Sequence, residues 1–101
     1  MAIMIQPPLV CVGQIYLHSD LNAYLIVTRN NRGQIHFAGD GFFGQAEDEE
    51  FVSRYGPVDP DDVDADEIAG LLTLCPEGTQ ASTGFVPHYH EAEVNSVCSR
   101  L

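Results

Sequence analysis

The sequence predicts an α+β fold, a small twisted antiparallel sheet or β-barrel carrying one C-terminal helix. Three observations predict it. The first half is rich in β-branched and aromatic residues, cut at intervals by turn-forming residues. Arg29-Asn30-Asn31-Arg32-Gly33 lies between two such runs and supplies the asparagines and glycine that a tight hairpin needs. In the second half, Ile68, Leu71, Leu72 and Cys75 recur at helical spacing.

The elements follow in order. Leu9 to Leu17 reads as a strand, and Pro7-Pro8 bars an earlier helical start. His18 to Asn22 supplies polar turn chemistry, Ala23 to Thr28 is the second strand, and Gln34 to Ala38 returns from the hairpin. Alternation in that third strand points Ile35 and Phe37 to the core and leaves Gln34 and His36 outward. Gly39-Asp40-Gly41 makes a turn or bulge before a short fourth strand at Phe42-Phe43, whose aromatics are expected to pack inward. Short antiparallel strands joined by tight loops suggest a curled sheet of the SH3-like β-barrel kind, an architecture that by itself carries no function.

Residues 46–55 fit a short helix or a turn in which Phe51 and Tyr55, four apart, share one buried face. Gly56-Pro57 ends it, and Pro57 to Pro60 is extended. Asp64 is the expected N-cap of the C-terminal helix, with Glu67 completing a capping-box-like start. Pro76 stops that helix, and Glu77 to Thr83 reads as a polar loop. The expected organisation is a single domain over 1–101: a β-rich half (1–45), an acidic segment (46–67), a helix (68–76) and a C-terminal arm (84–101).

Composition narrows the function. The chain has 101 residues, 15 acidic and 4 basic, for a formal charge of −11, and all four basic residues are arginines. This length supports one modest core and excludes a large enzyme with separate cofactor and substrate domains. So few cations exclude a basic face for nucleic acid or anionic membrane. Three cysteines (Cys11, Cys75, Cys98) without C-x-x-C spacing are expected to be reduced thiols of a cytoplasmic protein, Cys11 and Cys75 in the core. The N-terminus lacks the basic region of a signal peptide, and no apolar run approaches the roughly 18 residues of a membrane span.

The charge is concentrated. Glu47, Asp48, Glu49, Glu50, Asp59, Asp61, Asp62, Asp64, Asp66 and Glu67 stand against Arg54 alone, a net −9 within 21 residues. Close like charges repel by up to about 1 kcal/mol per pair in water, so stability does not call for them. Apolar residues (Phe51, Val52, Tyr55, Val58, Val63) interrupt the acids and tie them to folded backbone, and no lysine interleaves them. A solvated acidic face that aids solubility is the plain alternative.

A rigid row of carboxylates also imitates a duplex, which carries one charge per about 1.7 Å of axis. In size, charge and these ten positions the chain resembles the small acidic DNA-mimic and host-takeover proteins of bacteriophages. The resemblance implies a non-enzymatic inhibitor that occupies the basic DNA-binding surface of a gyrase, polymerase, restriction enzyme or CRISPR effector in the host cytoplasm. The ten acidic residues would then be the partner-binding site of a monomer or homodimer. The alternative is a protein–protein interaction module or assembly component using its sheet edge and Tyr24, Phe37, Phe42 and Phe43.

Chemical motifs are weak. His88-x-His90-Glu91-x-Glu93 with Cys98 is the best transition-metal candidate, but an H-x-H pair supplies too few ligands. Asp62-x-Asp64-x-Asp66 opens like a calcium loop, yet Glu67 takes the place of the required glycine and Thr73 that of the closing glutamate. Gly39 to Gly44 matches no phosphate-binding fingerprint. No serine or cysteine has the setting of an activated nucleophile. The expectation is a protein with no catalytic residue, metal or cofactor.

Overall fold

The computed structural model describes residues 10–85. The elements are β1 (Gln14–His18), β2 (Ala23–Asn31), β3 (Gln34–Gly39), β4 (Phe42–Glu47), α1 (Asp48–Arg54), β5 (Gly56–Val58), α2 (Ala65–Leu72) and β6 (Ser82–Thr83), with a 3-10 turn at Pro60–Asp62 before α2. The fold is α+β. The strand path β4-β3-β2-β1-β5 is antiparallel and open, and β6 joins β1 in parallel. β4 and β5 therefore do not pair, and the sheet does not close into the SH3-like barrel that was the other expectation.

The helices explain why. Tyr16, Leu25, Val27, Ile35, Phe37 and Ala46 pack with Phe51 and Tyr55 of the α1 segment. Ile15 and Ile26 pack with Leu71 of α2, and Tyr24, Val58 and Ile68 close around them. Neighbours along a strand point to opposite faces, so α1 covers one face of the sheet and α2 the other. β2 lies between both helices, which is why Leu25, Ile26 and Val27 are consecutively and fully buried instead of alternating. Burying both faces takes two helices, the expected C-terminal one and α1, which settles residues 46–55 as the short helix and not the turn.

Boundaries shift for local reasons. The hairpin loop is only Arg32-Gly33, with φ of 54° and 89°, so β2 runs on through Arg29-Asn30-Asn31. Two consecutive positive φ values make the tight primed turn that matches strand twist. The Asn30 side chain supports it, its Oδ1 accepting the Gly33 N–H at 2.9 Å. β4 continues past Phe43 to Glu47 because its register with β3 is unbroken from Phe42 opposite Gly39 to Glu47 opposite Gln34. α2 spans Ala65–Leu72, not 68–76: it begins within the acidic segment and ends before Pro76. Asp64 occupies its N-cap without a side-chain cap bond, so the expected capping box does not form. The 77–83 loop ends in the two-residue strand β6, too short to show a period.

Candidate docking surface

The ten acidic residues fall into two sets. Glu47 ends β4, and Asp48, Glu49 and Glu50 form the first turn of α1. Asp61 and Asp62 belong to the 3-10 turn that Asp59 caps, Asp64 stands at the N-cap position of α2, and Asp66 and Glu67 lie in its first turn. Because α1 and α2 cover opposite sheet faces, the segment does not present one continuous ridge. β5, at the sheet edge, carries the chain from one set to the other.

The second set is the denser. Residues 59–67 hold six carboxylates and no basic residue, and all six acids are exposed. Their backbone is fixed. Asp59 Oδ1 accepts the Asp61 N–H at 2.9 Å, Val63 is buried, and Leu71 anchors α2 to the sheet. In the first set, Asp48 is half-buried and its Oδ1 accepts the Glu49 N–H at 2.7 Å. Arg54 lies 3.8 Å from Glu50 across one helical turn, a solvent-exposed pair worth roughly 0.3–0.5 kcal/mol. It is the only ion pair among the described residues, so the carboxylates of 59–67 have no cationic partner there.

A cleft of about 410 Å³ opens between the β3–β4 turn and α2. Asp40, Asp66 and Glu67 supply its charge, Leu71 and Leu74 its apolar wall, and Gly41 part of its rim. Leu74 is half-exposed there. Phe43 follows two residues after Gly41 and is 86% exposed, the most exposed large apolar side chain described. The expectation that both Phe42 and Phe43 pack inward fails at Phe43: strand alternation puts Phe42 against the α1 core and Phe43 on the opposite, uncovered face. Of the other aromatics in the alternative reading, Phe37 belongs to the α1 core and Tyr24 packs against the α2 cluster.

Among the described residues β4 is also an open edge. The Asp48 N–H donates to the Gly33 carbonyl at 2.8 Å, and bonded pairs recur at every second position of an antiparallel ladder. Ile35–Ala46, Phe37–Gly44 and Gly39–Phe42 are therefore the bonded pairs, and the main-chain groups of Phe43, Gln45 and Glu47 point away from β3.

The most perturbed group is Tyr16, whose hydroxyl is raised far above its ordinary range by burial, against the smaller opposing effect of the hydrogen bond from Phe85 N–H. That hydroxyl donates to Gln14 Oε1 at 2.9 Å and accepts from Phe85 N–H at 2.6 Å, while Gln14 Oε1 also accepts the Cys11 N–H at 3.0 Å. The group is locked within the core. Burial raises the Cys75 thiol, which is free and donates to the Val27 carbonyl at 3.6 Å. Cys11 is disulfide-bonded, which corrects the expectation of three reduced thiols. Asp62, Asp64 and Asp66 are spread over a 3-10 turn, a cap and a helix, and no group of three metal-binding side chains converges among the described residues. The motif at His88, His90, Glu91, Glu93 and Cys98, like most of the 84–101 arm, lies outside the described residues. No described helix is long and apolar enough to cross a membrane.

No family model, curated protein or solved structure matches the chain.

Proposed function

We propose that the protein is a non-enzymatic acidic binding protein that docks on the basic nucleic-acid-binding surface of another protein and excludes DNA or RNA from it. One observation carries this reading: six exposed carboxylates over residues 59–67, on capped and anchored backbone, with no cation paired to them among the described residues. A basic channel built to focus the field of a duplex attracts such a row of charges. This reading takes the Asp59–Glu67 set as the docking face, supported by its density and by the place of Glu47 to Glu50 beside α1, on the other side of the sheet. Gyrases, polymerases, restriction enzymes and CRISPR effectors of a phage-infected cytoplasm have surfaces of this chemistry.

The test is capture of partners from bacterial lysate by the tagged protein, with elution in salt steps and identification by mass spectrometry. The bonded Cys11 belongs to the chemistry of oxidising compartments, so capture is run with and without reductant. We expect a DNA- or RNA-handling protein, released by moderate salt and displaced by duplex DNA. Reversing Asp61, Asp62 and Asp64 to lysine should abolish its capture. Undiminished capture by the triple variant sinks the reading. A second reading, an interaction module using its sheet edge, is favoured by the exposure of Phe43 on β4 and predicts a partner that survives high salt.

A further inference from the structure

We infer that the β4 edge and the cleft beside it form a binding site for an extended basic segment of a partner protein, which adds to the sheet as a strand antiparallel or parallel to β4. The inference rests on the reading that the partner is basic and specifies how part of it is held.

Three features converge. Phe43, Gln45 and Glu47 direct their N–H and C=O groups outward, which offers an incoming strand a ready ladder. Natural edges are protected by charged side chains, lysine above all, by proline or by a bulge. β4 has no lysine, proline or bulge and only one charge, Glu47 at its end: its sequence is Phe-Phe-Gly-Gln-Ala-Glu and its pairing with β3 is without a register shift. Second, the Phe43 side chain stands on the uncovered face, where the aliphatic stem or cationic head of an arginine or lysine packs well on an aromatic ring.

The third feature is charge. Glu47, Asp48 and Glu49 lie at one end of β4, and Asp40 at the other. Beyond Asp40 is the cleft, whose Asp66 and Glu67 stand beside Leu71 and Leu74. A basic side chain leaving the added strand at that end meets carboxylates for its head and leucines for its stem. β4 itself holds no cation, and the carboxylates at its two ends would repel an acidic strand. A second copy of this chain suits the edge less well, since each copy carries −11.

The test uses the full chain and a short acetylated peptide alternating arginine and valine, with an alternating glutamate and valine peptide as control. Amide hydrogen exchange is followed residue by residue. We expect the amides of Phe43, Gln45 and Glu47 to exchange fast in the free protein and to slow about tenfold or more with the basic peptide only. Phe43→Lys, at an exposed position, should weaken peptide binding about tenfold by opposing its charge. Gln45→Pro removes an outward N–H and should block the added strand while sparing the β3 ladder. Melting curves identify a variant that has simply unfolded, in which case Phe43→Lys decides. Binding of the peptide with no protection at these amides, or unchanged binding by Phe43→Lys, overturns the edge site and leaves the acidic-face reading standing. So does self-association through β4, seen as the same protection rising with protein concentration alone. Failure of the acidic-face reading shows separately, as indifference of partner capture to the Asp61, Asp62 and Asp64 reversals.

Discussion

At the scale of single residues, Tyr16 shows how this core handles a polar group. Its ring is fully buried and meets Phe51 edge-on at 4.6 Å, while its hydroxyl satisfies both Gln14 and the Phe85 N–H. Burial disfavours the phenolate, so the folded state keeps its proton well above the ordinary tyrosine value of about 10. A group raised on folding stabilises the protein below its unfolded pKa and loses that contribution as pH climbs through the folded value. Stability should therefore fall by about 1.4 kcal/mol per pH unit above about pH 10, because the unfolded chain releases a proton the folded one keeps. Urea titrations at successive alkaline pH values measure this, and Tyr16→Phe should flatten the slope. At neutral pH the same variant should cost about 1–3 kcal/mol, since the partly buried Phe85 N–H loses its acceptor. If Tyr16→Phe retains the full alkaline slope, the assignment to Tyr16 is wrong.

At the scale of elements, α1 and α2 depend on different kinds of burial. α1 has seven residues, too few to be helical alone, and it is held by Phe51, whose ring contacts Tyr16, Phe37 and Tyr55 within 5.5 Å. Phe51→Ala should cost about 3–5 kcal/mol in urea unfolding. A loss below about 1 kcal/mol would mean α1 is not part of the cooperative core. α2 has slack instead. Gly70 lies in its interior with open space where a Cβ would project, so Gly70→Ala should stabilise by roughly 0.5–1 kcal/mol. Gly70 also lines the cleft, so the same methyl group should weaken the arginine–valine peptide while raising stability.

These elements also show what the sequence could and could not disclose. The four-residue spacing of Phe51 and Tyr55 and the alternation of Ile35 and Phe37 were legible, because each reflects one local period. The stripe of α2 was legible too, and so was the place of Asp64 at its N-cap, because a short polar residue just ahead of an apolar stripe marks a helix start. The second covered face was hidden, since a strand buried on both sides shows a continuous apolar run and no period. Phe43 was misplaced because adjacent phenylalanines carry no mark of which one faces the core. The acids were easy to count and impossible to place, because their division between two faces is set by where β5 joins the sheet. The cleft, built from residues 39–41 and 66–74, is a product of tertiary packing with no local signal.

For the whole molecule, charge has two consequences of opposite sign. A chain at −11 with one weak ion pair among its described residues repels itself, and most of that repulsion is among exposed groups separated by water. Screening reaches about 8 Å at 0.15 M ionic strength. Sodium chloride should therefore raise the melting temperature by a few degrees, since each 1 kcal/mol moves a domain of this size by about 4–8 °C. The same salt should weaken docking on a basic partner, because that attraction is screened as well. The Asp61, Asp62 and Asp64 reversals separate the two effects. Each replaces a negative charge by a positive one within the densest acidic stretch, so the triple variant should melt higher than the wild type at low salt and respond less to added salt. It should nevertheless lose its partner. A variant that failed to bind because it was misfolded would melt lower, not higher, so gain of stability together with loss of capture is the signature of an acidic face kept for docking against the interest of the fold. If the reversals leave the low-salt melting temperature unchanged, the 59–67 carboxylates do not repel one another and are not maintained against a stability cost.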